Sequence, residues 1–494
     1  MTKQHSKSSL LGIVIFLWGA TLFAAQPPDT LWTKTYGGPD YDEGHSVCET
    51  SDGSYIVAGY TKSFGAGEPD VWLIKTDPNG DTLWTKTYGG SEWDQAWSVQ
   101  QTSDGGYIVT GWTESFGAGE ADVWLLKTDA DGDTLWARTY GDTGWDSGSS
   151  VQQTPDEGYI IAGYTASVGT GEIQQVYLIK TDANGDTIWT RTYGESGWTR
   201  GSSVKQTSDG SYIIAGSTYI FSEVVSSIEI YLIKTDANGD SLWTRTYGEP
   251  ADDDYGASVC ETSDGDYIIT GCSYYLGIGY EILLLKTDAD GDSLWARTYG
   301  VGHGNSVCET SDGCYMIAGS KKFSGPRSYD VHVMKTDENG GILWTRTYGR
   351  TTGWDEAQSV CEISDGSFIV AGWMEFLDPR DRDVCLLKLE PDVGIEEKEP
   401  SQETFILSEP EPNPFADRTL INYQLPKSSE VRIAIYDPLG RKVRTLLDSP
   451  QSPGAHTLTW DGTDDAGEPL SAGVYFLRFQ SESCTQTARL VMVR

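Results

Sequence analysis

The chain has 494 residues, with 73 Asp or Glu against 35 Lys or Arg, for a formal net charge of −38. That balance excludes nucleic acid, whose phosphates demand Lys and Arg, and disfavours an anionic membrane surface as partner. The length leaves room for one large domain with additions.

Residues 1–25 place Lys3 and Lys7 before an apolar run from Leu10 to Phe23 and end on Ala24 and Ala25. This is the pattern of a secretory signal peptide and predicts an exported chain. No later segment is apolar for long enough to read as a spanning helix, and no cysteine near the cleavage site suggests a lipid anchor.

From 26 to 389 a unit of about fifty residues recurs, marked by Trp32, Trp84, Trp136, Trp189, Trp243, Trp295 and Trp344 at spacings of 52, 52, 53, 54, 52 and 49. A fixed period of this size signals a repeat architecture in which one unit cannot bury its apolar surface alone. The copy from Ser98 to Tyr140 predicts four strands: Ser98–Thr102, Tyr107–Thr113, Asp122–Thr128 and Thr134–Tyr140. Asp104-Gly105 supplies the positive φ of a tight turn between the first two, and six of the seven units keep Asp-Gly there. The third unit has Asp156-Glu157-Gly158 instead. The last two strands are joined by a D-x-[ND]-G-D turn, as in Asp129 to Asp133.

The second and third strands read as apolar on both faces, the fourth as an exposed edge, and the first as small. Four-stranded sheets covered on both faces and repeated about an axis make a β-propeller with the first strands innermost. First strands begin at Ser46, Ser98, Ser150, Ser203, Ser258, Ser306 and Ser359, so the count predicts seven blades. A fourth strand, Thr30–Tyr36, precedes any first strand, and the unit from Ser359 to Leu389 lacks its own. Pairing the two closes the ring. Asp182, Gly185 and Trp189 resemble the tryptophan-docking motif of pyrroloquinoline-quinone-type propellers. The resemblance implies the propeller fold and brings no quinone with it.

Cys48, Cys260, Cys308 and Cys361 share one first-strand position, each followed by Glu, where the other units have Gln100, Gln152 and Lys205. They read as small packing residues copied by duplication, with a soft-metal arc as the alternative. Asp129, Asp131 and Asp133 have the alternate spacing of a calcium loop, but the Gly falls at the fourth position and no Glu follows at the twelfth. The expectation is a connecting turn with no cofactor, with calcium as the alternative. His45 and His303 read as loop residues and His332 as a strand residue; no His pair has metal spacing and no G-x-S-x-G elbow occurs.

Glu390 to Thr404 is acidic and contains proline, the composition of a linker (390–404). From Phe405 to Arg494 a new grammar begins. Val431, Ile433 and Ile435 alternate with more polar neighbours, and some seven short strands suggest an Ig-like β-sandwich. Asn413-Pro414-Phe415, Tyr436-Asp437 with Gly440-Arg441, Trp460-Asp461-Gly462 and Ser471 to Tyr475, including Gly473, resemble the C-terminal sorting domains of type IX secretion cargo and the related Ig-like domain of flagellar-hook capping proteins. The resemblance implies the type IX machinery as partner and passage through the periplasm to the cell surface or medium.

Two functions stay open: an exported, non-enzymatic binding or adhesion propeller for an extracellular glycan or protein, and a hydrolase or lyase acting on an extracellular polysaccharide. An enzyme should break the repeat, which happens at Asp252-Asp253-Asp254-Tyr255 and at Gly302-His303-Gly304. A binding protein should use its variable loops. The fourth-to-first loops carry an aromatic beside an acid at Tyr41-Asp42, Trp93-Asp94, Trp145-Asp146 and Trp354-Asp355, with Trp198 followed by Thr. An aromatic plate with an adjacent carboxylate suits a sugar ring, which has an apolar face and hydroxyl donors.

Overall fold

The computed structural model describes residues 30–391 and 406–493, less 167–173, 195–196, 222–225, 249–251, 276–278, 323–327, 350–352, 376–381, 408–412, 414, 416–417, 426–427, 438–440, 453 and 482–484. The expected signal peptide, most of the expected linker and Pro414 lie outside the described residues. Two compact units divide the chain, Met1–Gly394 and Ile395–Arg494.

The first unit is a β-propeller. In the copy used above, Asp94–Gln101, Tyr107–Thr113, Asp122–Thr128 and Thr134–Tyr140 run antiparallel in that order. Among the described residues five four-stranded sheets follow this plan. A longer path holds two further runs joined by one strand, Ser293–Glu309, which is outermost in the first and innermost in the second. Successive innermost strands contact one another, and Glu356–Glu362 meets Asp42–Glu49. Thr30–Tyr36 pairs antiparallel with Arg382–Leu389, so the first strand of the chain completes the sheet of its last repeat.

In this copy the innermost strand starts four residues earlier than the S-V-x-x-T pattern predicts, at Asp94 rather than Ser98. A register shift between Ala96 and Ser98 is the cause. It leaves Trp97 opposite no partner and breaks the alternation from which a strand is recognised. The same shift recurs before Ser46, Ser150, Ser203, Ser258, Ser306 and Ser359. His45 and His303 therefore lie in innermost strands, not in loops.

Repeated polar contacts join the sheets. Each serine hydroxyl of the S-V pair accepts the N–H of the next unit's valine: Val99 on Ser46, Val151 on Ser98, Val204 on Ser150, Val259 on Ser203, Val307 on Ser258, Val360 on Ser306 and Val47 on Ser359, all at 3.2–3.3 Å. A second belt links Gln101, Gln153, Glu261, Glu309, Glu362 and Glu49 to the N–H of the serine in the preceding unit's turn. Gln206 makes no such bond because its counterpart is Pro155, which has no N–H.

The third strand is not wholly apolar, as its sequence suggested. A lysine near its end is buried in every copy and pairs with the turn aspartate of the same sheet, as Lys127 with Asp104 at 2.9 Å and Lys335 with Asp312 at 2.7 Å. Each anchor tryptophan packs across to the next unit. Trp136 lies 5.9 Å from Tyr159, and its ring covers Gly185, where a Cβ would sit 2.7 Å from it. The D-x-[ND]-G-D turn is the receiving half of this joint. Asp129 accepts the N–H groups of Asp131 and Asp133, Asp133 pairs with Lys86 of the preceding unit at 2.6 Å, and Tyr88 donates to the Gly132 carbonyl.

The second unit is an Ig-like sandwich. One sheet holds Ile406–Leu407, Thr419–Leu425 and Gly454–Trp460; the other holds Lys442–Gln451, Ser429–Tyr436, Gly473–Gln480 and Thr485–Met492. Val431, Ile433 and Ile435 are buried beside exposed Glu430 and Arg432, as their alternation predicts. The residues that carried the resemblance to sorting domains build this core. Trp460 is fully buried between Phe415 and Tyr475, at 5.4 and 5.3 Å. Asn413 accepts the Val491 N–H, Asp461 accepts from Thr463, and a Cβ on Gly462 would strike the Met492 sulfur. Gly473 opens the strand that carries Tyr475, whose hydroxyl donates to the Ser471 carbonyl.

Candidate functional site: an axial funnel

The register shifts that obscure the innermost strands also place seven residues around a cavity of the propeller. Each leaves one unpaired residue: His45, Trp97, Ser149, Ser202, Ala257, Asn305 or Gln358. All seven line a cavity of about 730 Å³. The immediate neighbours are Gly or Ala before and Ser after in every unit, whereas these positions range over His, Trp, Ser, Ala, Asn and Gln, so duplication has been overwritten here.

The wall is asymmetric. Trp97, Trp112, Trp145, Tyr164, Trp198 and Tyr219 line one side; Tyr255, His303, Asn305 and Gln358 are among the groups on the rest. Rings pack against one another in two arcs. Tyr60, Trp93, Trp112 and Trp145 follow one another at 6.3, 5.9 and 5.3 Å. Tyr280, His303, Tyr329, Trp354 and Trp373 do so at 5.3, 5.6, 5.2 and 6.3 Å. His45 packs 4.3 Å from Trp97 and shares a 3.0 Å hydrogen bond with Gln95; burial pushes its pKa down to about 4. Burial lowers His303 too, so both imidazoles are neutral at pH 7. Burial raises the Tyr255 phenol and pushes the Cys272 thiol up to about 12.

The rim residues singled out in the sequence divide. Trp145 and Trp198 line the funnel, and Trp198 is 61% exposed. Trp93 and Trp354 belong to the arcs and are 39% and 38% exposed. Tyr41 lies under the Arg382 guanidinium, 5.2 Å from its ring. The acids go inside. Asp42, Asp94 and Asp146 are fully buried and Asp355 nearly so. Asp42 accepts from the Thr61 and Ser63 hydroxyls and the Gly38 N–H; Asp94 accepts from Thr113, Ser115 and Gly90. Asp146 accepts the Asp142 N–H and Asp355 the Glu375 N–H. In the fourth unit Thr199 bonds to Thr218 at the same place. The expected plate of ring plus carboxylate is therefore corrected: the ring stays at the surface while the acid fixes the loop, because it opens a strand whose neighbours offer several donors.

Cys48, Cys260, Cys308 and Cys361 do not line this funnel, and all are free thiols. Burial pushes Cys48 up to about 11 and Cys308 up to about 12. Among the described residues no group of three or more His, Cys, Asp or Glu side chains is placed to hold a metal ion. No helix there is long and apolar enough to cross a membrane.

Fold and cavity together define a β-propeller with an axial funnel, followed by an Ig-like domain. The FlgD Ig-like domain family matches residues 416–483. The regulatory protein FlaEY of Caulobacter vibrioides is 26% identical over 282 residues, which is 51% of this chain and 28% of that protein. The chain thus spans less than a third of that relative's length. Among solved structures, PorZ of Porphyromonas gingivalis, an essential surface component of its type IX secretion system, is similar over 93% of this chain and 60% of its own, at 11% identity and a TM-score of 0.40. A Dyadobacter fermentans protein of unknown function is similar over 74% of this chain and 99% of its own, at 13% identity and a TM-score of 0.44.

Proposed function

We propose that this protein is an exported, non-enzymatic binding propeller that takes an extracellular glycan in its axial funnel and is delivered to the cell surface or medium by its C-terminal domain. The observation that carries the binding reading is the set of seven unpaired residues around the cavity, where an otherwise uniform repeat becomes individual. The aromatic side, with Trp145 and Trp198 at the mouth, suits the apolar faces of sugar rings, and the serine, asparagine and glutamine groups suit their hydroxyls. The sorting reading rests on the FlgD-type domain at 416–483 and on the motifs from Asn413 to Tyr475. A glycan array with product analysis of every hit tests the first part. Binding without turnover is expected, and binding to no glycan overturns it. Deleting Phe405–Arg494 tests the second: in a host with the type IX machinery the truncated chain should remain in the periplasm, and normal surface delivery overturns the sorting role.

A second reading, a polysaccharide hydrolase or lyase, is favoured by one observation. His303 and Tyr255, from the two places where the repeat is broken, both line the funnel and both pack on Tyr280, at 5.3 and 6.0 Å. The neutral imidazole can accept a proton, but the raised Tyr255 phenol stays protonated at neutral pH and offers no base there. Turnover that is lost in His303→Gln would establish this reading over the first.

A further inference from the structure

The chain carries 73 acidic residues, yet no described residue lining the funnel is a carboxylate. With both histidines neutral, the one lining side chain among the described residues that carries a full charge at neutral pH is Arg200. In a protein of net charge −38, a cavity whose described lining holds no acid and a single guanidinium points to a ligand of negative charge. We infer that the funnel selects a glycan bearing an anionic group on the pyranose ring, a carboxylate or a sulfate ester, and that Arg200 binds that group. The inference rests on the glycan reading above and adds the charge of the ligand to it.

The geometry of Arg200 supports the assignment. It sits in the innermost strand Thr199–Gln206, next to the rim residue Trp198. Its guanidinium lies over the Tyr164 ring at 4.6 Å and near the Trp198 ring at 5.8 Å. Its Nε donates to Gln174 Oε1 at 2.6 Å. That bond fixes the plane of the group through one nitrogen. Among the described residues no carboxylate pairs with the guanidinium, so its two terminal nitrogens remain to donate in parallel, the fork that matches a planar carboxylate or two sulfate oxygens. The same rings that stack on the guanidinium continue as the aromatic wall through Trp145 and Trp112. A pyranose lying on that wall would thus bring its substituent toward the cation. The acids elsewhere on the propeller do not veto this arrangement. At physiological salt their field falls off over about 8 Å.

The test uses the full chain and four probes in titration calorimetry: a galacturonate tetramer, its methyl ester, a sulfated neutral tetramer and that tetramer without sulfate. The ester keeps the rings and removes the charge. The expected result is at least about ten-fold tighter binding of one acid over its uncharged partner, lost in Arg200→Gln, with the uncharged partner binding parent and variant alike. Which acid shows the preference distinguishes carboxylate from sulfate. Arg200→Lys, which keeps the charge without the fork, should fall between. Equal binding of charged and uncharged partners, or an undiminished preference in Arg200→Gln, overturns this inference and leaves the glycan reading standing. Binding of none of the four overturns the inference and counts against the glycan reading too. Arg200 is exposed, so the variant should melt with the parent; if it does not, the Arg200→Lys comparison decides.

Discussion

The Ser359 hydroxyl accepts the Val47 N–H at 3.3 Å, across 312 residues of chain. It is the closing link of the belt that starts with Ser46 and Val99. Val47 is 5% exposed, so its amide has no easy recourse to water if the acceptor is removed. Ser359→Ala should lower stability by about 1 to 2 kcal/mol, while Ser103→Ala at an exposed turn, which keeps the backbone N–H bond to Gln153, should cost less. Denaturant midpoints measured side by side check this, and an unchanged midpoint for Ser359→Ala would show the belt to be ornamental.

Deleting Thr30–Tyr36 should do far more. The strand covers the open edge of Arg382–Leu389 and at the same time grips the first unit, through Tyr36 on the Gly80 carbonyl at 2.6 Å and Lys34 on Asp81 at 2.8 Å. Its loss leaves a row of unpaired backbone groups and bares Tyr55, which packs 6.0 Å from Trp32. The expected outcome is aggregation on light scattering together with a large drop in melting temperature. A truncated chain as stable and as monodisperse as its parent would contradict the closure.

Acid should unfold the propeller in two stages. Burial alone would raise the turn carboxylates, but at Asp104 the Thr102 hydroxyl, Lys127 and the Gly106 N–H outweigh it and hold the pKa at about 2. Asp52, Asp209 and Asp264 are held there in the same way. Their unfolded value is about 3.9, so their contribution is complete above roughly pH 4 and is lost as pH falls toward 2. The buried imidazoles act earlier. Burial lowers His45 to about 4 and His332 to about 3, against about 6.5 unfolded. The neutral forms favour the fold above pH 6.5, and that advantage drains as pH falls through 4. Melting temperature should therefore decline gently below pH 6.5 and steeply below 4. His332→Tyr, which installs the side chain of the matching positions Tyr177 and Tyr231, should flatten the gentle part. A decline that begins only below pH 4 in the parent would refute the histidine contribution.

The architecture was legible because the repeat states it many times over. Seven copies of one strand pattern, with the first and last strands out of phase, suffice to place Thr30–Tyr36 against Arg382–Leu389. Even Glu157, the residue in place of the usual turn glycine, takes the positive φ of 65° that its position demands. What stayed hidden is what one strand's sequence cannot show. The buried Lys127 reads as a polar interruption until Asp104, 23 residues earlier, is folded against it. The seven unpaired residues were not read as a set because a bulge shifts the period at the very residue it exposes. The signal that would have found them is variation: the position before each S-V pair reads His, Trp, Ser, Ser, Ala, Asn and Gln in turn. Asp42 and Asp94 misled for the opposite reason, since a turn acid and a ligand acid look alike until their donors are in place.

The rim tryptophans give the sharpest division between binding and packing. Trp198 stands 61% exposed at the mouth of the funnel, next to Arg200. Trp93 and Trp354 are more covered and pack against a ring on each side, Trp93 between Tyr60 and Trp112, Trp354 between Tyr329 and Trp373. Removing a ring from the middle of an arc leaves its neighbours without a partner, and each aromatic pair is worth about 0.5–1.5 kcal/mol beyond the area it buries. Trp93→Ala and Trp354→Ala should therefore lower the melting temperature by several degrees. Trp198→Ala should leave it nearly unchanged and weaken glycan binding by about ten-fold, the loss of a typical contact anchor. Trp145, which lines the funnel and also packs 5.3 Å from Trp112, should show both effects. Calorimetric titration and thermal melts on the four variants separate the roles. Full glycan affinity in a folded Trp198→Ala would place the ligand elsewhere on the propeller, and a collapse of its melting temperature would make that ring a packing group after all.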